Sequence, residues 1–256
     1  MSDNLKSDKS LRLINFPNAL TCCNLISGCI ATCFAFFHSP DLALIWIIIG
    51  AVFDFFDGMS ARALHISSPI GKELDSLADD VTFGVAPSTI IFSELLVMDF
   101  PSWLGAVSNY IPFVAYIMAA FSALRLAKFN LDTRQTMGFI GLPTPANALF
   151  WGSLIISLSS WFESLAFGSW LIILLMLVSS WLLISEIPMF ALKFKHWGLK
   201  GNEIRYGFLA LAAIVIIGNT LLSGIEGKGY GSGFLGSWWI VILLYLVISI
   251  IADKKK

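Results

Sequence analysis

Four aspartates interrupt the apolar run of this chain at the end of one long hydrophobic segment and the start of the next. They read Asp54-Phe-Phe-Asp57-Gly58-Met-Ser-Ala61-Arg62, then eight residues, then Gly71-Lys-Glu-Leu-Asp75-Ser-Leu-Ala-Asp79. Asp54 and Asp57 are three apart and Asp75 and Asp79 four apart, so on helices each pair projects from one face. If the two segments form an antiparallel hairpin, all four carboxylates converge at one membrane surface. Charges left uncompensated there would each cost roughly 2.5–3.5 kcal/mol even on a lenient insertion scale. Oxygen ligands in such a cluster suit a hard divalent cation, which would also balance the charge.

The surrounding composition makes the membrane reading necessary. The 256 residues are 57% hydrophobic and 13% charged, about half the charge of an ordinary soluble domain. Apolar runs of about 20 residues recur along the chain, as expected of an all-α polytopic membrane bundle. Eight transmembrane helices are expected, near 17–37, 42–63, 70–96, 109–130, 144–161, 169–190, 205–223 and 236–252. They form one domain over 1–256, with 1–14 as a cytoplasmic N-terminal segment. Ser68-Pro69 supplies a cap and a first-turn proline for the third span. Pro87 is expected to kink that span, and the glycine-dense stretch 224–236 to be a loop. No basic face exists for nucleic acid. The four cysteines, Cys22, Cys23, Cys29 and Cys33, lie in the first apolar segment without disulfide or metal spacing and read as small packing residues.

Charge distribution sets the orientation. Of the 16 Lys and Arg residues, all but Lys228 fall on one side of an eight-span arrangement. That puts both termini and the aspartate hairpin in the cytoplasm.

The spacing D-x2-D-G-x2-A-R-x8-G-x3-D-x3-D resembles the signature of the CDP-alcohol phosphatidyltransferases. Asp54, Asp57, Gly58, Ala61, Arg62, Gly71, Asp75 and Asp79 fill all of its positions. The resemblance implies that Asp54, Asp57, Asp75 and Asp79 hold two Mg²⁺ or Mn²⁺ ions. It further makes Asp79 the base for the attacking alcohol, and Gly58, Ala61, Arg62 and Gly71 contacts of CDP-diacylglycerol. Ala123-Leu-Arg125-Leu-Ala-Lys128-Phe-Asn130 and Gly138-Phe-Ile-Gly141-Leu-Pro143-Thr-Pro145-Ala146 are similar to segments of the phosphatidylserine synthases. Lys128 and Asn147 depart from the usual residues there. Phe16-Pro17-Asn18-Ala-Leu-Thr21 resembles the start of that group's first helix, so the likeness runs from about residue 12 to about 150. The last three spans match in hydropathy alone.

The expected reaction is transfer of a phosphatidyl group from CDP-diacylglycerol to L-serine in the inner membrane, with CMP released on the cytoplasmic side. Arg125 and Asn130 are the candidate acceptor contacts, and a homodimer is implied. The alternatives are another acceptor (glycerol 3-phosphate, inositol phosphate or choline) or a cation transporter using the carboxylates. No transporter-like inverted repeat is visible, and the aspartates lie at span ends rather than at the midplane.

Overall fold

The computed structural model describes residues 13–66, 68–132, 134, 138–191, 198–199 and 201–253. The basic residues Lys6, Lys9, Arg12, Lys193, Lys195, Lys200 and Lys254 to Lys256 lie outside these.

The chain is a helical bundle. The first helix, α1 (Phe16–Phe36), starts at Asn15, whose side chain accepts from the Asn18 N–H at 2.8 Å. It turns back at residues 37–39 into α2 (Pro40–Ala63), with which it packs along its length. Ser68 then caps α3 (Pro69–Asp79) as expected, its hydroxyl accepting from Gly71 N–H at 3.0 Å. A π-helical turn, Asp80–Val85, leads directly into α4 (Ala86–Val97), and the three pieces form one continuous span.

The π turn locates the irregularity expected at Pro87. Proline lacks the N–H that would bond back one turn, and its ring crowds the carbonyl there. The helix widens over the turn just before it and resumes as α4, with Pro87 in the first turn. This wide turn packs into a notch between α1 and α2. A Cβ on Gly28 would stand 2.4 Å from Thr82 Oγ1, and one on Gly50 2.6 Å from Thr82 Cγ2. Only glycine permits that approach, which brings the aspartate-bearing ends of α2 and α3 against α1.

A 3-10 stretch (Ser102–Tyr116), broken at Gly105 with φ 51°, runs into α5 (Ile117–Leu131). Helices α6 (Thr144–Ser164) and α7 (Gly168–Ile184) complete the core around the fully buried Trp151. The indole N–H of Trp151 donates to Ser179 Oγ at 2.9 Å, so the large ring is buried without an orphaned donor.

The chain ends with α8 (Glu203–Ile225), the short α9 (Tyr230–Leu235) and α10 (Trp238–Asp253). Among the described residues, six stretches are long and apolar enough to cross a membrane, including Glu203–Ile225 and Tyr230–Ala252. The remaining two expected spans correspond to α6 and to the 17-residue α7, which is apolar but shorter. The protein is therefore a multi-pass all-α membrane bundle.

One local expectation needs correction, and one element was not anticipated. The glycine-dense stretch 224–236 is not wholly loop, because α9 forms within it. Asn219 Nδ2 on α8 donates to Gly233 O at 2.9 Å, holding that short helix against its neighbour. The segments flanking α6 and α7 also pair as a two-stranded antiparallel ladder, β1 (Gly138–Ile140) with β2 (Pro188–Phe190). All four cysteines are free.

Candidate active site

The cluster forms where α2 ends and α3 begins. Asp54, Asp57 and Asp75 each offer a carboxylate oxygen, all lying within 4.8 Å of one another. Asp57 is buried and the other two half-buried. No Lys or Arg among the described residues forms an ion pair with any of them. Asp75 Oδ1 is buried with no hydrogen-bond partner. A buried carboxylate oxygen without a donor or counter-charge is costly unless a cation compensates it. Three clustered oxygen donors, one of them unsatisfied, fit a hard divalent ion.

Asp79, one turn further along α3, stands outside the group of three. Asn24 on α1 donates its Nδ2 to Asp79 Oδ1 at 3.0 Å. Asn24 is itself located by Thr82, whose hydroxyl donates to the Asn24 carbonyl at 3.0 Å. Thr21, one turn before Asn24, donates its hydroxyl to Asp57 Oδ2 at 2.5 Å. Thus α1 orients two of the four carboxylates.

These α1 contacts escaped the sequence reading, which assigned Thr21 and Asn24 no role. Their signal is nevertheless present: Asn18, Thr21, Asn24 and Ser27 recur every three residues in an otherwise apolar helix, and all four are buried. A polar stripe that faces inward within the membrane must have polar partners there.

Two cavities adjoin the cluster. One, of 280 Å³, lies between α1 and the α2–α3 turn and is lined by Asn18, Thr21, Asp57, Gly58, Ala61, Gly71, Lys72 and Asp75, among others. The second, of 400 Å³, opens on the other side. Asp54, Arg62, Asp75, Asp79, Arg125 and Asn130 give it polar walls, and Phe129, Phe139, Pro143 and Thr144 help close it. Asp57, Gly58 and Asp75 line both. A Cβ on Gly58 would meet only Arg62 Nη1, at an ordinary 3.4 Å. Packing within the chain therefore does not demand glycine there; the space it leaves belongs to the cavities.

Arg125 is 6% exposed, a depth at which arginine is seldom found without a partner. Its Nη1 donates to Thr144 Oγ1 at 3.3 Å, its guanidinium lies 5.7 Å from the Phe129 ring centre, and its Nε is buried without a partner. No carboxylate lies within ion-pairing distance among the described residues. Asn130 also lines this cavity, but its Nδ2 donates to Ser76 Oγ at 2.7 Å and its carbonyl accepts from Lys72 Nζ at 2.7 Å. It thereby ties α5 to α3.

Lys128, three residues after Arg125 on α5, is directed to Glu186, which also pairs with Arg134 at 3.3 Å. The Lys128 hydrogen bond, helped by the charges of both cations, holds the Glu186 carboxyl below its usual range. Asp132, hydrogen-bonded to the Arg134 guanidinium, raises that group's already high pKa. These ion pairs join the last turn of α5 and the segment after it to the segment after α7, near the β1–β2 ladder.

The CDP-alcohol phosphatidyltransferase family model matches residues 14–193. The CDP-diacylglycerol–serine O-phosphatidyltransferase of Mycobacterium leprae is 30% identical over 263 residues, covering 96% of this chain and 77% of its own. The enzyme of the same name from Bacillus subtilis is 38% identical over 133 residues, 50% of this chain and 68% of its own. That of Helicobacter pylori is 27% identical over 245 residues, 94% and 96% of the two chains. The similarity thus continues through the last helices, beyond the residues whose motifs carried the resemblance. With the signature positions gathered around one acidic cluster and the family model spanning most of the bundle, this chain belongs to the CDP-alcohol phosphatidyltransferase family.

Proposed function

We propose that this protein transfers the phosphatidyl group of CDP-diacylglycerol to L-serine, giving phosphatidylserine and CMP. The observation that carries the reading is the carboxylate cluster between two cavities, with no ion-paired Lys or Arg among the described residues, and a buried arginine facing one of those cavities without a carboxylate in ion-pairing distance among the described residues. The relatives' shared activity supports the same reaction.

Asp54, Asp57, Asp75 and Asp79 would hold two Mg²⁺ or Mn²⁺ ions, whose chemistry is to neutralise diphosphate oxygens and ease departure of the leaving phosphate. The cytidine end of the donor fits the smaller cavity, where Gly58 leaves bare backbone for close approach and Ala61 and Gly71 keep the wall small. Arg62 supplies a planar fork for phosphate oxygens.

Serine fits the larger cavity. Its carboxylate meets Arg125 in a charge-assisted hydrogen bond, and Asn130 offers its side-chain oxygen to the ammonium. The serine Oγ attacks the phosphorus nearest the diacylglycerol and a new P–O bond forms. The bond from that phosphorus to the bridging oxygen breaks, CMP leaves with the electron pair, and the hydroxyl proton passes to Asp79. Asp79 stands outside the group of three and is oriented by Asn24, which suits the member that must take the proton. No strong protein nucleophile lines the cluster among the described residues, so direct displacement is the economical course.

A phosphorylated acceptor would want a second cation beside Arg125. The neighbouring Lys128 is committed to Glu186, which favours serine. The positive-inside distribution supports an inner-membrane enzyme with its site toward the cytoplasm, and the family resemblance a homodimer. The test is an acceptor panel with purified protein, labelled CDP-diacylglycerol and divalent ion. L-serine should drive CMP release and yield phosphatidylserine. Faster release with glycerol 3-phosphate, inositol phosphate or choline would overturn the serine assignment.

A further inference from the structure

Asp80 follows Asp79 in the chain and opens the π turn, about a quarter-turn of helix away from it. A carboxylate this far into an apolar span is costly unless it is compensated. It faces Ser122 of α5, which is fully buried, with Gly84 against both. Neither Asp80 Oδ1 nor Ser122 Oγ has any other hydrogen-bond partner. A Cβ on Gly84 would stand 2.7 Å from Asp80 Oδ1, 2.9 Å from Ser122 Oγ and 3.0 Å from Ser122 Cβ. The π turn thus meets α5 on one side as closely as it meets α1 and α2 through Thr82 on the other.

Each side of the contact with α5 carries one wall of the larger polar cavity. Asp79 precedes the π turn by one residue. Arg125 follows Ser122 by three on the same buried face of α5, about 4.5 Å further along its axis. Asp79 and Arg125 both line the cavity, and their charges interact across it. The separation of these two groups is therefore set where Asp80 and Gly84 touch Ser122. The opposite wall is softer. There Phe139 and Pro143 divide the chamber from an apolar cavity of 470 Å³ between α6, α8 and α10, which leaves them room to yield.

We infer that the contact of Asp80 and Gly84 with Ser122 is a spacer that selects the acceptor by the length between its carboxylate and its hydroxyl. The inference rests on the proposed transfer to L-serine. With the acceptor carboxylate at Arg125 and the hydroxyl at Asp79, serine spans the gap with one methylene and homoserine with two. A chamber of fixed span accepts the first and misplaces the second, and a misplacement of about 1 Å costs on the order of a hundredfold in rate. Asp80, Gly84 and Ser122 touch neither substrate; they are positioning residues that act through Asp79 and Arg125.

The test compares L-serine with L-homoserine as acceptors for CDP-diacylglycerol. The wild type should favour serine by about tenfold or more in kcat/KM. Gly84→Ala forces the π turn and α5 apart by roughly half an ångström. Serine turnover should then fall, and its advantage over homoserine should shrink by about fivefold or more. Asp80→Ala adds no bulk and is the safer variant for folding; it should loosen the spacing and shrink that advantage likewise. Asp80→Asn, of the same shape, should keep it. The KM for CDP-diacylglycerol should be unchanged in all three.

A serine-to-homoserine ratio that stays at the wild-type value in Gly84→Ala and Asp80→Ala, with only thermal stability lowered, overturns the proposal by making the contact one of packing. An equal loss for both acceptors does the same, as does a wild type that uses homoserine as well as serine. Asp80→Asn behaving like Asp80→Ala would overturn it too, because charge and not spacing would then be at work. If the wild type releases CMP with neither amino acid, the serine reading itself falls. If serine drives release but the ratio ignores these variants, that reading stands and the spacer falls.

Discussion

The polar cavities beside α1, α2 and α3 and the apolar cavity beside α8 and α10 are built on opposite principles. Around the aspartates, nearly every position is specified: Thr21 orients Asp57, Asn24 orients Asp79, and Gly28 and Gly50 admit Thr82 so that these contacts can form. Around Phe208 and Ile242, shape alone matters, and many combinations of hydrocarbon side chains would leave the same space. Charges in a membrane are expensive unless compensated, so each must have a partner at a fixed place. Hydrocarbon in the same surroundings carries no such requirement. The contrast predicts that substitutions near the carboxylates act steeply on chemistry, whereas substitutions near the last helices act gradually and according to size.

The steepest expected effect is at the cluster. Asp75→Asn keeps the shape but removes a charge from the group of three, and serine-dependent CMP release should fall by about a thousandfold or more. The variant should still insert and elute as the wild type on gel filtration. Near-normal CMP release would break the distinction between the two regions at once.

Next comes Arg125. Arg125→Lys keeps a charge but loses the planar fork. A charge-assisted hydrogen bond is worth roughly 1.5–3 kcal/mol, so KM for serine should rise about ten- to hundredfold. The KM for CDP-diacylglycerol should barely move. Steady-state kinetics with each substrate varied in turn would separate this from a general loss of structure, in which both would change.

Thr21→Val tests whether α1 orients the cluster or merely packs on it. Loss of one hydrogen bond of about 0.5–1.5 kcal/mol predicts a fall in kcat of about two- to tenfold, together with weaker metal dependence. Thr21→Ser should restore both. A variant in which Thr21→Val lowers thermal stability but leaves kcat and the metal requirement untouched would assign Thr21 to packing alone.

The smallest effect is expected at Glu186, exposed and paired with Lys128 and Arg134. Because folding lowers its pKa, its pairing contributes stability above the ordinary glutamate value of 4.5 and loses it as pH falls through the lower folded value. Glu186→Gln should lower the thermal midpoint slightly at neutral pH, and the difference should vanish in acid. Pairs this exposed contribute little, and a large shift would show that this junction does more than brace two loops.

The same contrast explains what could be read before the structure was known. Asp54, Asp57, Asp75 and Asp79 stood out because carboxylates at helical spacing in apolar sequence are rare, and the cluster of the first three lies at the α2–α3 junction that the spacing implied. The edges of α1, α2 and α3 also followed closely, fixed by Asn15, Ser68 and the prolines beside the helix starts.

Thr21 and Asn24 were harder to assign. Their inward stripe is visible, but which carboxylate each meets depends on how α1 is rotated against Thr82. The β1–β2 ladder was invisible because three residues per strand carry no alternating pattern and the partners lie some fifty positions apart. The π turn was anticipated only as a kink at Pro87; the widening falls in the turn just before the proline, where Thr82 sits between Gly28 and Gly50. The apolar cavity has no sequence signature, since its walls read like any other span.

Direct binding of Mn²⁺ to the purified protein, followed by electron paramagnetic resonance in the absence of substrate, is the sharpest test of the acidic cluster as a cation seat. The wild type should immobilise the ion with saturable stoichiometry, Asp75→Asn should lose that binding, and Glu186→Gln should retain it. Saturable binding of equal strength in wild type and Asp75→Asn would contradict the account, because the ion would then be held somewhere other than between α2 and α3.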